Sequence, residues 1–177
     1  MEWNIRRATP GDANSVAHIQ VVGWKTTYSG IVPPAFLDSM EEESRAASWK
    51  EHLENKDALI LVAENSSELF GFVCGGGLRE PIEDYDGELF AIYLLPEFQR
   101  QGAGRQLVLT LAQNMRDRGF KRMVVWVLEQ NSAVSFYKRM GGVQLVQKQT
   151  EIGGAMLGDL AFGFDLFDPR LYTGSAN

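Results

Sequence analysis

Apolar positions along this chain switch between a period of two and a period near three and a half, and the order of the switches outlines a fold. Trp3 to Ala8 alternates as a short strand, and Pro10-Gly11-Asp12 reads as a turn ending in a helix cap. Val16, Ile19 and Val22 then share one helical face. The periodicity fades between Gly23 and Gly30, where aromatics and helix breakers gather. Pro34 suits the first position of a further turn, and Glu41 to Asn55 predicts a charged helix with Ala46, Trp49 and Leu53 on one face.

Strand-length runs follow. Asp57 to Glu64 and Leu69 to Cys74 are joined by Asn65-Ser66-Ser67, which predicts a hairpin, and Gly75-Gly76-Gly77 ends its second strand. Glu88 to Leu95 (ELFAIYLL) is a continuous apolar run, the kind buried on both faces in the middle of a sheet. Leu107, Leu111 and Met115 recur at helical spacing over Gln106 to Arg118 until Gly119. Met123 to Leu128 is a second buried strand. Asn131 and Ser132 can cap a helix holding Val134, Phe136 and Tyr137, ended by Gly141-Gly142. Val143 to Gln149 and Met156 to Phe167 predict a terminal strand pair. The order predicts one α/β domain over residues 1–177, with a mixed central sheet of about six to seven strands, helices on both faces and a right-handed crossover in the middle.

Composition narrows the function classes. The chain has 177 residues, 45% of them hydrophobic, enough for one self-sufficient core. A net charge of -6 argues against a nucleic-acid binder, which needs a basic stripe for phosphates. Cys74, the single cysteine, excludes an internal disulfide and sits among Phe72, Val73 and Gly75 as a buried apolar residue. His18 and His52 are on predicted helices with surface or packing roles, so no metal site is expected. No apolar run approaches the roughly 20 residues that span a bilayer, and the N-terminus lacks a signal-peptide pattern. A soluble protein of the reducing cytoplasm is expected, without membrane or nucleic-acid partners.

Glu97 to Arg105 (EFQRQGAGR) is the first candidate for chemistry. Gly102 and Gly104 stand in the turn entering a helix, where unsatisfied N–H groups and the helix dipole favour an anion; Arg100 and Arg105 add positive charge. No Lys follows as a P-loop requires, and Leu107 stands where a dinucleotide fingerprint has its third glycine. On local physics the stretch is either a phosphate loop or only a tightened strand-to-helix turn.

Its surroundings resemble a family. Gln99-x-x-Gly102-x-Gly104 after a buried strand matches the Q/R-x-x-G-x-G/A signature of the GCN5-related N-acetyltransferase (GNAT) superfamily, and NSAVSFYKRMGG is similar to its second conserved segment, N-x-x-A-x-x-F-Y-x-x-x-G. The order of elements agrees over roughly residues 3 to 167. The resemblance implies a sheet splayed between strands 4 and 5, acetyl-CoA as cosubstrate and no metal. It implies that the backbone of Ile92, Tyr93 and Leu94 pairs with the pantetheine arm, and that Arg100, Gln101, Gly102, Ala103, Gly104 and Arg105 offer N–H groups to the pyrophosphate. It also implies that Asn131 contacts the cofactor and that Tyr137 lies near the thioester sulfur.

An ammonium with a free pKa of about 10.4 must lose a proton before it can attack a thioester, and the departing thiolate gains from a proton donor. Tyr137, a phenol protonated at neutral pH, suits the donor role. Glu88, at the start of the buried strand, stands where the histone-acetylating branch of the family has its glutamate base. Desolvation at the mouth of an apolar cleft favours a carboxylate as base. The alternatives for these residues are plain packing for Tyr137, and a water relay instead of Glu88. Without an activated Ser or Cys, direct attack in a ternary complex is expected over an acetyl-enzyme.

Trp24 to Pro33 resembles the W-x-x-x-Y-x-G-I-x-P pattern of a bacterial branch that includes polyamine acetyltransferases. Trp24 and Tyr28, four apart, either stack on an acceptor or clamp their loop on the sheet. Glu83, Asp84 and Asp86 attract a cationic acceptor or form a solvated loop. The expected activity is transfer of the acetyl group of acetyl-CoA to a primary amine, a polyamine or other small cationic amine. A protein or peptide amine and a non-catalytic acyl-CoA sensor are the alternatives. A homodimer is left open, because Ile152 to Phe167 either closes the sheet or pairs with another chain.

Overall fold

The computed structural model describes residues 2–173. Along the chain the strands are β1 (Asn4–Arg7), β2 (Leu59–Glu64), β3 (Leu69–Gly77), β4 (Gly87–Leu94), β5 (Arg122–Leu128), β6 (Val143–Ile152) and β7 (Ala155–Asp165). The helices are α1 (Ala13–Thr27), α2 (Pro34–Asp38), α3 (Glu42–Glu54), α4 (Ala103–Asp117), α5 (Ala133–Arg139) and α6 (Pro169–Thr173). One sheet runs β1-β2-β3-β4-β5-β7-β6. Its neighbours are antiparallel except β4 and β5, which are parallel and joined through α4. Among the described residues no helix is long and apolar enough to cross a membrane.

Side-chain alternation assigns the helices to faces. Phe72 of β3 meets Trp49 of α3, ring centroids 5.1 Å apart, whereas a side chain at the adjacent Gly71 would point to Leu107 of α4. α1 lies with α3, and its buried Val16 and Ile19 join the main core. On the other face α4 buries Leu107, Val108, Leu111 and Met115, a stripe at helical spacing. α5 shares this face: Tyr137 lies against Phe162, which pairs with Val125, itself paired with Leu89 on the α4 side. A smaller cluster of Val21, Val32, Leu37, Met40 and Leu128 seals the α1–α2 joint against the end of β5.

Three local readings change. Gly23 does not end α1, which continues to Thr27: a Cβ there would sit 2.6 Å from Cδ1 of Tyr93, so the missing side chain lets the helix lie on β4. The Gly75-Gly76-Gly77 run continues β3 instead of ending it, because these glycines pair with Leu89, Glu88 and Gly87. β7 is inserted between β5 and β6, so the terminal segment closes the sheet and β6 forms the edge.

β4 carries the fourth difference. Gly75 pairs with Leu89 and Cys74 with Ala91, so Phe90 has no partner on β3 and forms a bulge. Alternation shifts there. Glu88 before the bulge and Phe90 in it share the α1 face with Tyr93 after it. The apolar run is also not buried throughout: Gly87 to Leu89 are buried and Phe90 to Leu94 only half-buried.

Candidate active site

The half-buried stretch marks an opening in the sheet. β4 and β5 pair only through Gly87 with Met123, Glu88 with Val124 and Leu89 with Val125. Beyond this point β4 stays bonded to β3 as far as Leu94, and β5 stays bonded to β7 as far as Leu128. The bulge at Phe90 falls where the pairing ends, and a bulge bends its strand and increases the twist. The edges that β4 and β5 turn to each other therefore lack a strand partner along Ile92, Tyr93 and Leu94, and, the Leu94 carbonyl apart, their outward peptide groups can bond an added extended ligand.

At the end of this slot, the loop before α4 is braced from within. Nε2 of Gln99 donates to the Leu94 carbonyl at 3.1 Å, and Nε2 of Gln101 to the Glu97 carbonyl at 2.7 Å. Arg100 and Gly102 both take left-handed backbone, at φ 59° and 92°. Left-handed residues in such a turn gather successive N–H groups on one side as an anion-binding nest. The first bond into α4 is from Gln106 N to Gly102 O, 3.1 Å, and no side chain caps the helix. Among the described residues no acceptor meets the N–H groups of Arg100, Gln101, Gly102, Ala103, Gly104 or Arg105. No atom lies within 4 Å of a Cβ built on Gly102, so the backbone is open to close approach. This donor row fits a pyrophosphate. Arg105, expected to add charge here, turns its guanidinium away to the Tyr172 carbonyl at 2.9 Å. Only its backbone N–H faces the loop, and Arg100 is the exposed basic side chain there.

Across the slot, Asn131 and Tyr137 are both buried. Oδ1 of Asn131 accepts the Ala133 N–H at 2.9 Å and starts α5, as a cap should. Burial, with Tyr28 nearby as a second cause, pushes the Tyr137 phenol well above its ordinary range. Its proton is therefore present at neutral pH. Tyr28 reaches over from the end of α1. Burial raises its phenol too, while Tyr93 and Asn131 at its oxygen pull the other way. Tyr93 is likewise raised by burial and then by Tyr28. Three phenols and one amide thus meet at the mouth of the slot. The rings of Trp24 and Tyr28 meet tilted at 56° with centroids 4.6 Å apart, and Trp24 lies 5.8 Å from Phe36. Trp24 and Tyr28 pack on the cluster that seals the α1–α2 joint against the end of β5.

Glu88 is 1% exposed at the paired end of the slot. One oxygen accepts the backbone N–H of Arg79 at 3.0 Å, and the other accepts Nε at 2.9 Å together with Nη2. Both oxygens are occupied. Arg79, whose guanidinium also lies over the Phe90 ring at 5.0 Å, was not legible as a site residue, because its loop carries no motif. Tyr93 was expected to act through backbone alone, yet its ring organises the mouth. Asp159, unremarked in the sequence, is buried on β7; a carboxylate in the middle of a strand whose other acid, Asp165, stands at its end was the available signal. Cys74 is buried as expected, with its thiol pushed up to about 12 by burial.

A sheet opened between two parallel strands, with a nest of N–H groups at one end and a buried phenol across the gap, defines an acyl-CoA-dependent transferase. The model of the acetyltransferase (GNAT) family matches residues 24–142, and the chain belongs to that family. It is an acetyl-CoA-dependent N-acetyltransferase in class. An uncharacterised N-acetyltransferase of Bacillus subtilis strain 168 is 36% identical over 160 residues, spanning 90% of this chain and 91% of the relative. A spermidine N(1)-acetyltransferase of Thermoplasma acidophilum is 29% identical over 150 residues, spanning 80% and 88%. The fold is shared with the PaiA N-acetyltransferase of Thermoplasma acidophilum in complex with coenzyme A (TM-score 0.68, 24% identity, 90% and 98% covered). It is shared as well with a Salmonella typhimurium acetyltransferase structure containing acetyl-CoA (TM-score 0.72, 21% identity, 95% and 96% covered).

Proposed function

We propose that this chain acetylates a primary amine of a small cationic acceptor, a polyamine foremost, by direct attack on acetyl-CoA in the cytoplasm. The observation that carries the acceptor class is Asp159, a buried carboxylate on β7 whose charge acts on the phenol of Tyr28 at the mouth of the slot, in a chain of net charge -6. The polyamine reading is supported by the Thermoplasma acidophilum relative named as a spermidine N(1)-acetyltransferase.

The bare edge of β4 at Ile92, Tyr93 and Leu94 and the N–H row of Arg100 to Arg105 hold the donor, which supplies an activated acetyl thioester. Asn131, starting α5, borders it and fixes Tyr28. Trp24 and Tyr28 wall the acceptor. The amine, once deprotonated, attacks the carbonyl carbon; the carbon–sulfur bond breaks, Tyr137 gives its proton to the sulfur, and the proton that the new amide nitrogen sheds passes through water to restore the phenol. Arg79 holds both Glu88 oxygens, which favours water over Glu88 itself as the group that first removes the ammonium proton. Glu88 then acts as a fixed negative pole beside that path.

Thiol release from acetyl-CoA, measured against spermidine, amino acids and lysine peptides, tests the reading. The expected result is the highest kcat/KM for spermidine. Peptides preferred over small amines would move the acceptor class to protein amines. Tight acetyl-CoA binding without thiol release for any amine would make the chain a sensor.

A further inference from the structure

Asp159 is 8% exposed and, among the described residues, is the buried carboxylate that accepts no hydrogen bond from a cationic side chain. Its β7 position pairs with Leu128, the last residue of β5, and with Lys148 on β6. Its described hydrogen bond is from Oγ1 of Thr150, at 3.2 Å. Lys148, the lysine beside it in the ladder, is engaged elsewhere: Nζ reaches Oε2 of Glu80 at 2.5 Å and lies 4.2 Å from the centre of the Trp126 ring. Arg79 is engaged by Glu88. Lys148 and Arg79 act on Asp159 only through space and offset its burial in part, so a carboxylate hydrogen-bonded to a neutral hydroxyl keeps a desolvation cost that an incoming cation relieves.

Position turns this cost into a site. Asp159 shares with Leu128 the face covered by the α1–α2 joint, and its charge acts on the phenol of Tyr28 at the slot's mouth. Aromatic rings of Trp24, Tyr28 and Phe36 line the same joint. A carboxylate beside aromatic faces is the combination that binds an alkylammonium, one supplying charge and the other cation–π contact. We propose that Asp159 receives the acceptor's ammonium and makes the site selective for amines that are charged when they bind. This rests on the amine-acetylating reading above.

Asp159→Asn keeps the shape and the Thr150 hydrogen bond while removing the charge. Steady-state thiol release is run with acetyl-CoA, and calorimetric titration with CoA bound in its place, for spermidine, n-butylamine and an arylamine uncharged at neutral pH. The variant is expected to raise KM and Kd for the two charged amines by about tenfold or more, with Asp159→Glu recovering part of the loss. Acetyl-CoA Kd and the arylamine rate stay within about twofold. Unchanged values for charged amines, equal losses for the arylamine, or no binding of either charged amine to the wild type would overturn it. If the wild type binds spermidine through Asp159 but releases no thiol, acetyl transfer to amines fails while the ammonium site stands.

Discussion

Glu88 and Arg79 form a closed pair: the backbone N–H of Arg79 meets one carboxylate oxygen at 3.0 Å and its guanidinium holds the other. The pair pins the loop between β3 and β4 onto the first turn of the slot. Glu88→Gln keeps the backbone bond and loses the charge, at a cost of about 1–2 kcal/mol because the guanidinium is largely solvent-exposed. For a chain of this size that lowers Tm by roughly 2–8 °C. The acidic limb of the kcat/KM profile should survive in the variant; its disappearance would make Glu88 the base itself.

Tyr137→Phe removes the proton donor and little else, since the ring still packs on Phe162 and Phe164. A fall in kcat of about a hundredfold is expected with acetyl-CoA Kd unchanged. Burial raises this phenol, so the donor form persists through the ordinary tyrosine range and is lost only as pH climbs through the higher folded value. The wild-type kcat should therefore show no alkaline fall from this group below about pH 10.

The loop before α4 separates backbone from side-chain effects. Gly102→Ala forces a side chain into left-handed backbone at φ 92°, costing about 1–2 kcal/mol, and narrows the approach to the N–H row. Acetyl-CoA affinity should drop by about tenfold or more. Arg100→Ala should weaken binding in a salt-dependent way. Arg105→Ala should instead lower Tm with little change in affinity, because its guanidinium ties α4 to Tyr172.

Gly23→Ala tests the seat of α1. In an open helix this change adds about 1 kcal/mol of stability, but here the new methyl meets Tyr93 Cδ1 at 2.6 Å. A net loss of about 1–3 kcal/mol is expected, relieved when Tyr93 is also shortened to Leu. Thermal melts of the two single variants and the double variant measure the coupling.

Cys74 should resist thiol reagents at pH 8 in the folded protein and react on unfolding. Its folded thiol, raised to about 12, lies above the unfolded value near 8.5. The associated stability is thus complete below about pH 8.5 and is lost as pH rises toward 12. Urea melts between pH 8 and 11 would show the decline.

Run length and period were enough to read the strands, the hairpin at Asn65 and the crossover through α4, because each is decided by its own stretch of chain. The N–H row was legible for the same reason: Gly102 and Gly104 state a backbone need locally. Gly23 misled, since a glycine reads as a helix breaker until the ring of Tyr93 lies across from it. The bulge at Phe90 was hidden inside an apolar run, as the extra residue exists only relative to β3. Arg79 and Asp159 depend on neighbours distant in sequence, on Glu88 in one case and on Leu128 and Thr150 in the other. Arg105 looked like a phosphate ligand by adjacency alone, and its guanidinium follows the carbonyl of Tyr172.

The sheet is in effect two panels, β1 to β4 and β5 to β6, hinged by three residue pairs and the span of α4. A ligand laid between the panels latches them, so the donor is structural glue as much as reagent. At a hundred times its Kd such a latch adds about 2.7 kcal/mol to the folded state. Each turnover then exchanges one latch for another, and the panels are least firmly joined in the interval between product departure and the arrival of the next donor.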